Sequence, residues 1–152
     1  MSDETAALPA GAYAAAGDAT WRSSELTRGP WHPEHQHAGP PIALVARQIE
    51  RAAAPLGLTH VARLTANLLR PIPIAELCVA VQTDYAGRNV AHFSATLSSG
   101  GKEVARFTAL VQREARLAVP EGLPGHPLPR APRPPESSPA AAFPFGSKFT
   151  GY

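Results

Sequence analysis

Gln36-His37-Ala38-Gly39-Pro40-Pro41-Ile42-Ala43-Leu44-Val45-Ala46 is a polar turn that runs straight into an apolar stretch. Pro40 and Pro41 suit the first turn of a helix, where a missing N–H has no intrahelical partner to lose. Ile42, Val45, Ala46 and Ile49 then recur at helical spacing, while Arg47, Gln48, Glu50 and Arg51 take another face. Ala52-Ala53-Ala54 leads into Pro55 and Gly57, which are stop signals, so a helix is expected over Gly39 to Ala54.

Beyond Gly57 the period changes from helical to alternating. Val61 to Leu69 alternates imperfectly, and Glu76 to Tyr85 places Leu77, Val79 and Val81 on one face. Val90 to Ser98 sets Val90, His92, Ser94 and Thr96 against Ala91, Phe93, Ala95 and Leu97. In Val104 to Gln112 the alternation of Val104, Phe107 and Leu110 is broken, the mark of a β-bulge. Arg70-Pro71-Ile72-Pro73, Ala86-Gly87-Arg88-Asn89 and Ser98-Ser99-Gly100-Gly101 are turns by composition, so the four strands are expected in antiparallel meander order. Upstream, Thr20 to Leu26 reads as a short strand ended by Gly29-Pro30, and Trp31 to His37 as a polar loop. The sum is an α+β domain: an antiparallel sheet of about five to six strands wrapped around one long central helix.

With 152 residues the chain has room for one core. Residues 1–18 are expected to be a flexible arm with a helical turn around Ala14, residues 19–115 the folded domain, and residues 116–152 an extended tail. About half of the 17 prolines fall in that tail, yet Phe143, Phe145, Phe149 and Tyr152 near its end are more apolar than a solvated segment needs and should dock on a surface. The lone Cys78 excludes an intramolecular disulfide and reads as a small buried hydrophobe. A net charge of +2 from scattered Arg and Lys argues against nucleic acid as a partner. No signal peptide or membrane span is legible, so a cytoplasmic protein without membrane attachment is expected.

Gly29-Pro30-Trp31-His32-Pro33 followed by Gln36 to Arg47 resembles the N-terminal hotdog of bacterial acyl-CoA thioesterase II-like, double-hotdog proteins. Ala62-Arg63-Leu64-Thr65-Ala66-Asn67-Leu68-Leu69-Arg70-Pro71-Ile72-Pro73 is similar to that family's strand ending in an Arg-Pro turn, and Gly101 to Arg106 to its last hairpin. The likeness spans Trp21 to Arg113 and implies a hotdog fold. It also implies an acyl-CoA or acyl-carrier thioester of a hydrophobic acyl group held at the His37-Ala38-Gly39 turn. In that reading His37 orients the carbonyl, Gln36, Ala38, Gly39 and Ile42 contact the substrate, and no cofactor is needed. A lone hotdog is expected to pair as a homodimer or with a second hotdog chain, its sheet continuing into the partner's.

Two departures from the family pattern bear on catalysis. Its turn is usually His-Gly-Gly, and here Ala38 takes the middle place. In single-hotdog relatives the catalytic acid stands about two and a half helical turns on, where this chain has Ala46, while the double-hotdog type draws its carboxylate from a second half. Glu34 and Glu50 read as solvated charges, so no catalytic base is assigned. The helix N-terminus offers donors to a thioester oxygen, but Pro40 and Pro41 reduce them to the N–H groups of Ala38, Gly39 and Ile42. A second reading is therefore a non-catalytic half that binds acyl groups or a partner, and a third is a thioester dehydratase or another hotdog enzyme of secondary metabolism. His32, His35 and His37 stand in a Pro-interrupted loop without metal-ligand spacing, so no metal is expected. Arg63, Arg70, Arg88 and Arg106 are candidates for coenzyme A phosphates.

Overall fold

The computed structural model describes residues 9–116, 118 and 122. Strands β1 (Tyr13–Ala15) and β2 (Thr20–Ser23) precede helix α1 (Gly39–Ala53), which is followed by β3 (His60–Leu68), β4 (Glu76–Ala86), β5 (Val90–Ser99) and β6 (Lys102–Gln112). All pairings are antiparallel, in the order β1-β2-β4-β5-β6-β3, and α1 packs on the inner face of this one sheet. This is the hotdog arrangement.

Helix α1 buries Pro41, Leu44, Val45, Ile49 and Ala53 against the sheet. Ala46 stands at the flank, half exposed, although its spacing suggested the core. From the strands Leu77, Phe93, Leu97, Phe107 and Val111 close around the helix, each almost wholly buried. Truncating such a side chain, as in Ile49→Ala, costs about 2–5 kcal/mol. The helix ends through a 3₁₀ turn at Ala54–Leu56, capped by Gly57 at φ 68°, a left-handed conformation that favours glycine. The next residue, Leu58, is buried.

Several sequence expectations are corrected. Within the stretch read as an arm, Tyr13–Ala15 form β1 rather than a helical turn, with Tyr13 opposite Ser23 and Ala15 opposite Trp21. The strand expected from Thr20 to Leu26 stops at Ser23, because the Ser24 hydroxyl accepts from the Leu26 N–H and opens a 3₁₀ turn over Glu25–Thr27. Cys78 is exposed: Leu77 and Val79 point at the helix, so the residue between them faces out. The proline-rich tail lies, apart from residues 116, 118 and 122, outside the described residues.

The meander is also corrected, because β3 pairs with β6 instead of β4. Arg70-Pro71-Ile72-Pro73 is a crossing connection, not a hairpin; its prolines lack the N–H groups a ladder needs, and Ile72 is buried in the core while its carbonyl accepts from the Gln36 N–H. The expected bulge lies at Val104. Leu97 faces Ala105 while Ser98 faces Glu103, so Val104 is the extra residue, and its carbonyl accepts from both Leu69 N–H (2.9 Å) and Arg70 N–H (3.2 Å). The sheet's two edges differ: β1 has 3 residues and β3 has 9, with Leu68 and the following Leu69 exposed at its end.

Candidate functional site

The loop before α1 is held between two neighbouring segments. On one side Gly29 N–H donates to His35 O (2.8 Å) and His37 N–H to Thr27 O (2.7 Å), with Arg28 bridged to Gln36. On the other, Gln36 N–H donates to Ile72 O and Ile74 N–H to Glu34 O, both at 2.8 Å. The crossing connection that replaced a hairpin is therefore what supports the turn. Gly29 is glycine because a Cβ there would lie 3.0 Å from His37 N and 3.2 Å from the Gln36 carbonyl carbon.

Gln36 is buried, and both ends of its amide are taken. Its Oε1 accepts from the Tyr13 hydroxyl at 2.5 Å, and its Nε2 donates to Pro73 O at 2.7 Å. His37 points outward, its ring stacked on exposed Trp31 with centroids 5.9 Å apart and planes at 21°. The Gly39 N–H donates to His37 Nδ1 at 3.1 Å. An acceptor at Nδ1 leaves the ring proton of neutral imidazole on Nε2.

Of the three donors expected at the helix start, Gly39 N–H is thus occupied by His37, and Ile42 N–H donates to Ala38 O at 3.2 Å. Among the described residues, Ala38 N–H is the one left without a partner. Ala38 sits at φ −65° and ψ −29°, ordinary helical backbone, so its methyl imposes no strain where the family's usual turn has glycine.

The family profile described as Acyl-CoA thioesterase N-terminal domain matches residues 27–112, more than half the chain. The chain belongs to this acyl-CoA thioesterase domain family. Solved hotdog structures agree on the fold. The Escherichia coli PaaI protein of the phenylacetic acid degradation operon superimposes with TM-score 0.58 at 19% identity, covering 63% of this chain and 70% of its own. The Streptococcus mutans protein smu.793, bound to acetyl-CoA, gives 0.56 at 16%, covering 62% and 81%. A Thermobifida fusca protein named as a thioesterase II gives 0.60 at 17%, covering 80% of this chain but 43% of the longer one. No curated protein is significantly similar to the chain in sequence.

Glu50 lies on the exposed side of α1, paired with Arg47 at 3.2 Å, and Glu34 is exposed in the loop. His32 and His35 stack on each other, centroids 4.2 Å apart, and His32 Nδ1 accepts from Glu34 N–H (3.2 Å). On the outer sheet face Ser94 donates straight to Asp84 (2.9 Å) with no imidazole between them, while His92 meets the ring of Tyr85 edge-on at 6.0 Å. Of the four candidate phosphate-binding arginines, Arg70 and Arg106 meet at Glu103. Arg106 is tied to Glu103 (2.8 Å), Arg70 donates to the Glu103 carbonyl (3.1 Å), Arg63 lies on β3, and Arg88 stands in the β4–β5 turn.

Sequence reasoning missed Tyr13 and Thr27 as members of the site's frame. The available signal was a lone aromatic, Tyr13, in a run of Ala and Gly too small-sided to need one.

Proposed function

We propose that this chain is the thioester-holding half of a hotdog thioesterase acting in the cytoplasm on a hydrophobic acyl-coenzyme A. The observation that carries the reading is the pair of donors the turn holds, Ala38 N–H and, through the Gly39-fixed tautomer, His37 Nε2–H. Hydrogen-bond donors beside the carbonyl oxygen are what a thioester needs as charge develops on it. Water then attacks the carbonyl carbon, the C–S bond breaks, and the thiolate leaves to be protonated, releasing a carboxylic acid and coenzyme A. Hotdog relatives bound to acetyl-CoA and to coenzyme A support this choice of substrate.

Ala46 stands where single-hotdog relatives are expected to carry their acid, so the water-activating carboxylate comes from a second hotdog unit. The nine-residue open edge of β3, ending in half-exposed Leu68 and Leu69, is the place for that unit to extend the sheet. The 43% coverage of the Thermobifida fusca protein supports a functional unit about twice this size.

The test is turnover of an acetyl-to-palmitoyl coenzyme A panel by the full chain, alone and mixed with any hotdog protein encoded beside it, together with sedimentation. Saturable binding, with hydrolysis strongest for the paired unit, is the expected result. Absence of both binding and hydrolysis in every combination would overturn the reading.

A further inference from the structure

Among the described residues three polar side chains are buried, Ser23, Thr27 and Gln36, and all three belong to the frame beneath the His37 turn. Ser23 Oγ donates to Ala75 O and accepts from Ala75 N–H, both at 2.8 Å, which fixes the end of the crossing connection. Thr27 Oγ1 donates to Ser24 O (2.7 Å), and the Thr27 carbonyl receives the His37 N–H. Gln36, the residue before His37, is bonded at its N–H, its Oε1 and its Nε2. Buried polar groups that are fully paired specify one arrangement, because each lost bond leaves a group that water does not reach.

One member of this network comes from outside the loop and the connection. Tyr13 lies on β1, 23 positions before Gln36, and its side chain packs half-buried against the core. We propose that Tyr13 is a positioning residue of this site: its hydroxyl, acting through Gln36, fixes where the His37-Ala38-Gly39 turn sits. The proposal rests on the reading of that turn as the thioester-holding site.

The geometry leaves Gln36 one orientation. The Pro73 carbonyl only accepts, so Nε2 must face it and Oε1 must face Tyr13. Burial pushes the Tyr13 phenol well above its ordinary range, so it remains a donor at every working pH. Without the hydroxyl, Oε1 is a buried acceptor with no partner, and the residue carrying it is bonded directly to His37. Strand β1 is otherwise attached by three residue pairs with β2 and by bonds from Ser24 to Gly11 O and Ala12 O. The Tyr13 hydroxyl is thus the side-chain link from this edge strand to the turn.

Tyr13→Phe in the full chain tests this, with Tyr85→Phe on the outer face as control. Two readings are taken: the backbone amide NMR signals of residues 37–39, and kcat with KM of the paired unit on the best acyl-CoA of the panel. The expected result is displaced signals at His37, Ala38 and Gly39, with kcat lower by roughly tenfold or more and KM changed by less than about twofold. The control should change neither. Should Tyr13→Phe fail to fold, Gln36→Met removes the same acceptor without touching β1 and is expected to move the same signals. A folded variant whose 37–39 signals stay in place, or whose kcat is unchanged, overturns the proposal. A wild-type chain that neither binds nor hydrolyses acyl-CoA overturns the site reading instead, and the NMR comparison still decides whether Tyr13 positions the turn.

Discussion

The N–H of Gly39 points at Nδ1 of His37, 3.1 Å away, and a Cβ added to Gly39 would meet that same nitrogen at 3.2 Å. Gly39→Ala therefore pushes the imidazole off its backbone donor and away from its stack on Trp31. Alanine is the better helix former by about 1 kcal/mol, which offsets the crowding. Urea unfolding should show stability changed by less than about 1 kcal/mol, while kcat/KM falls. A variant with full activity would show that the His37 ring does not act in the site.

Ala38→Pro isolates the remaining backbone donor. Ala38 already has φ −65°, the value proline imposes, and its N–H has no partner to lose within the described residues. The fold should hold, and hydrolysis should drop by about 10²–10³-fold, the usual effect of removing one oxyanion donor. Circular dichroism checks the fold and a thiol-release assay the rate; unaltered turnover would rule out Ala38 N–H as that donor.

Gly29→Ala is expected to be costly for a different reason. The nearest atoms to its new Cβ are backbone atoms of Gln36 and His37, which have no rotamer to relax into. A loss of about 1–3 kcal/mol in denaturant unfolding is predicted, as for an overpacked interior. A neutral result would show that the 27–29 segment does not grip the loop.

The helix and the strand periods were legible locally, because burial against a single core imprints 3.6- and 2-residue repeats on the chain. Sheet order was not. That β3 pairs with β6 goes with a crossing connection in which Ile72 is buried and bonded to Gln36, a nonlocal arrangement that the composition of Arg70-Pro71-Ile72-Pro73 does not report. Strand β1 was missed because Tyr13-Ala14-Ala15 has little strand propensity of its own and is held by pairing with β2. Cys78 was misread although Leu77 and Val79 already gave the period that turns it outward. At the turn, the family resemblance assigned His37 to the substrate carbonyl. The structure has Nδ1 capping Gly39, and Nε2 has no hydrogen-bond partner among the described residues.

Acid should weaken one surface contact. Arg106 donates to both oxygens of Glu103, at 2.8 and 3.0 Å, and this hydrogen bonding holds the Glu103 carboxyl below its usual range. A carboxylate depressed in the folded state adds stability above its unfolded pKa, about 4.3, and that gain is lost as pH falls through the lowered value. The stability difference between wild type and Glu103→Gln should be present at neutral pH, shrink on acidification, and diminish with salt. A difference that grew toward low pH in urea titrations would contradict the pairing.

The central claim is that this chain holds a thioester at Ala38 and His37 and receives its acid from elsewhere. A crystal structure with a non-hydrolysable acyl-CoA analogue that keeps the carbonyl tests it most directly. The predicted result has the carbonyl oxygen about 3 Å from Ala38 N and His37 Nε2, with the nearest carboxylate supplied by a second hotdog unit. A carbonyl bound away from this turn, or activated by a carboxylate of the same chain, would contradict the account.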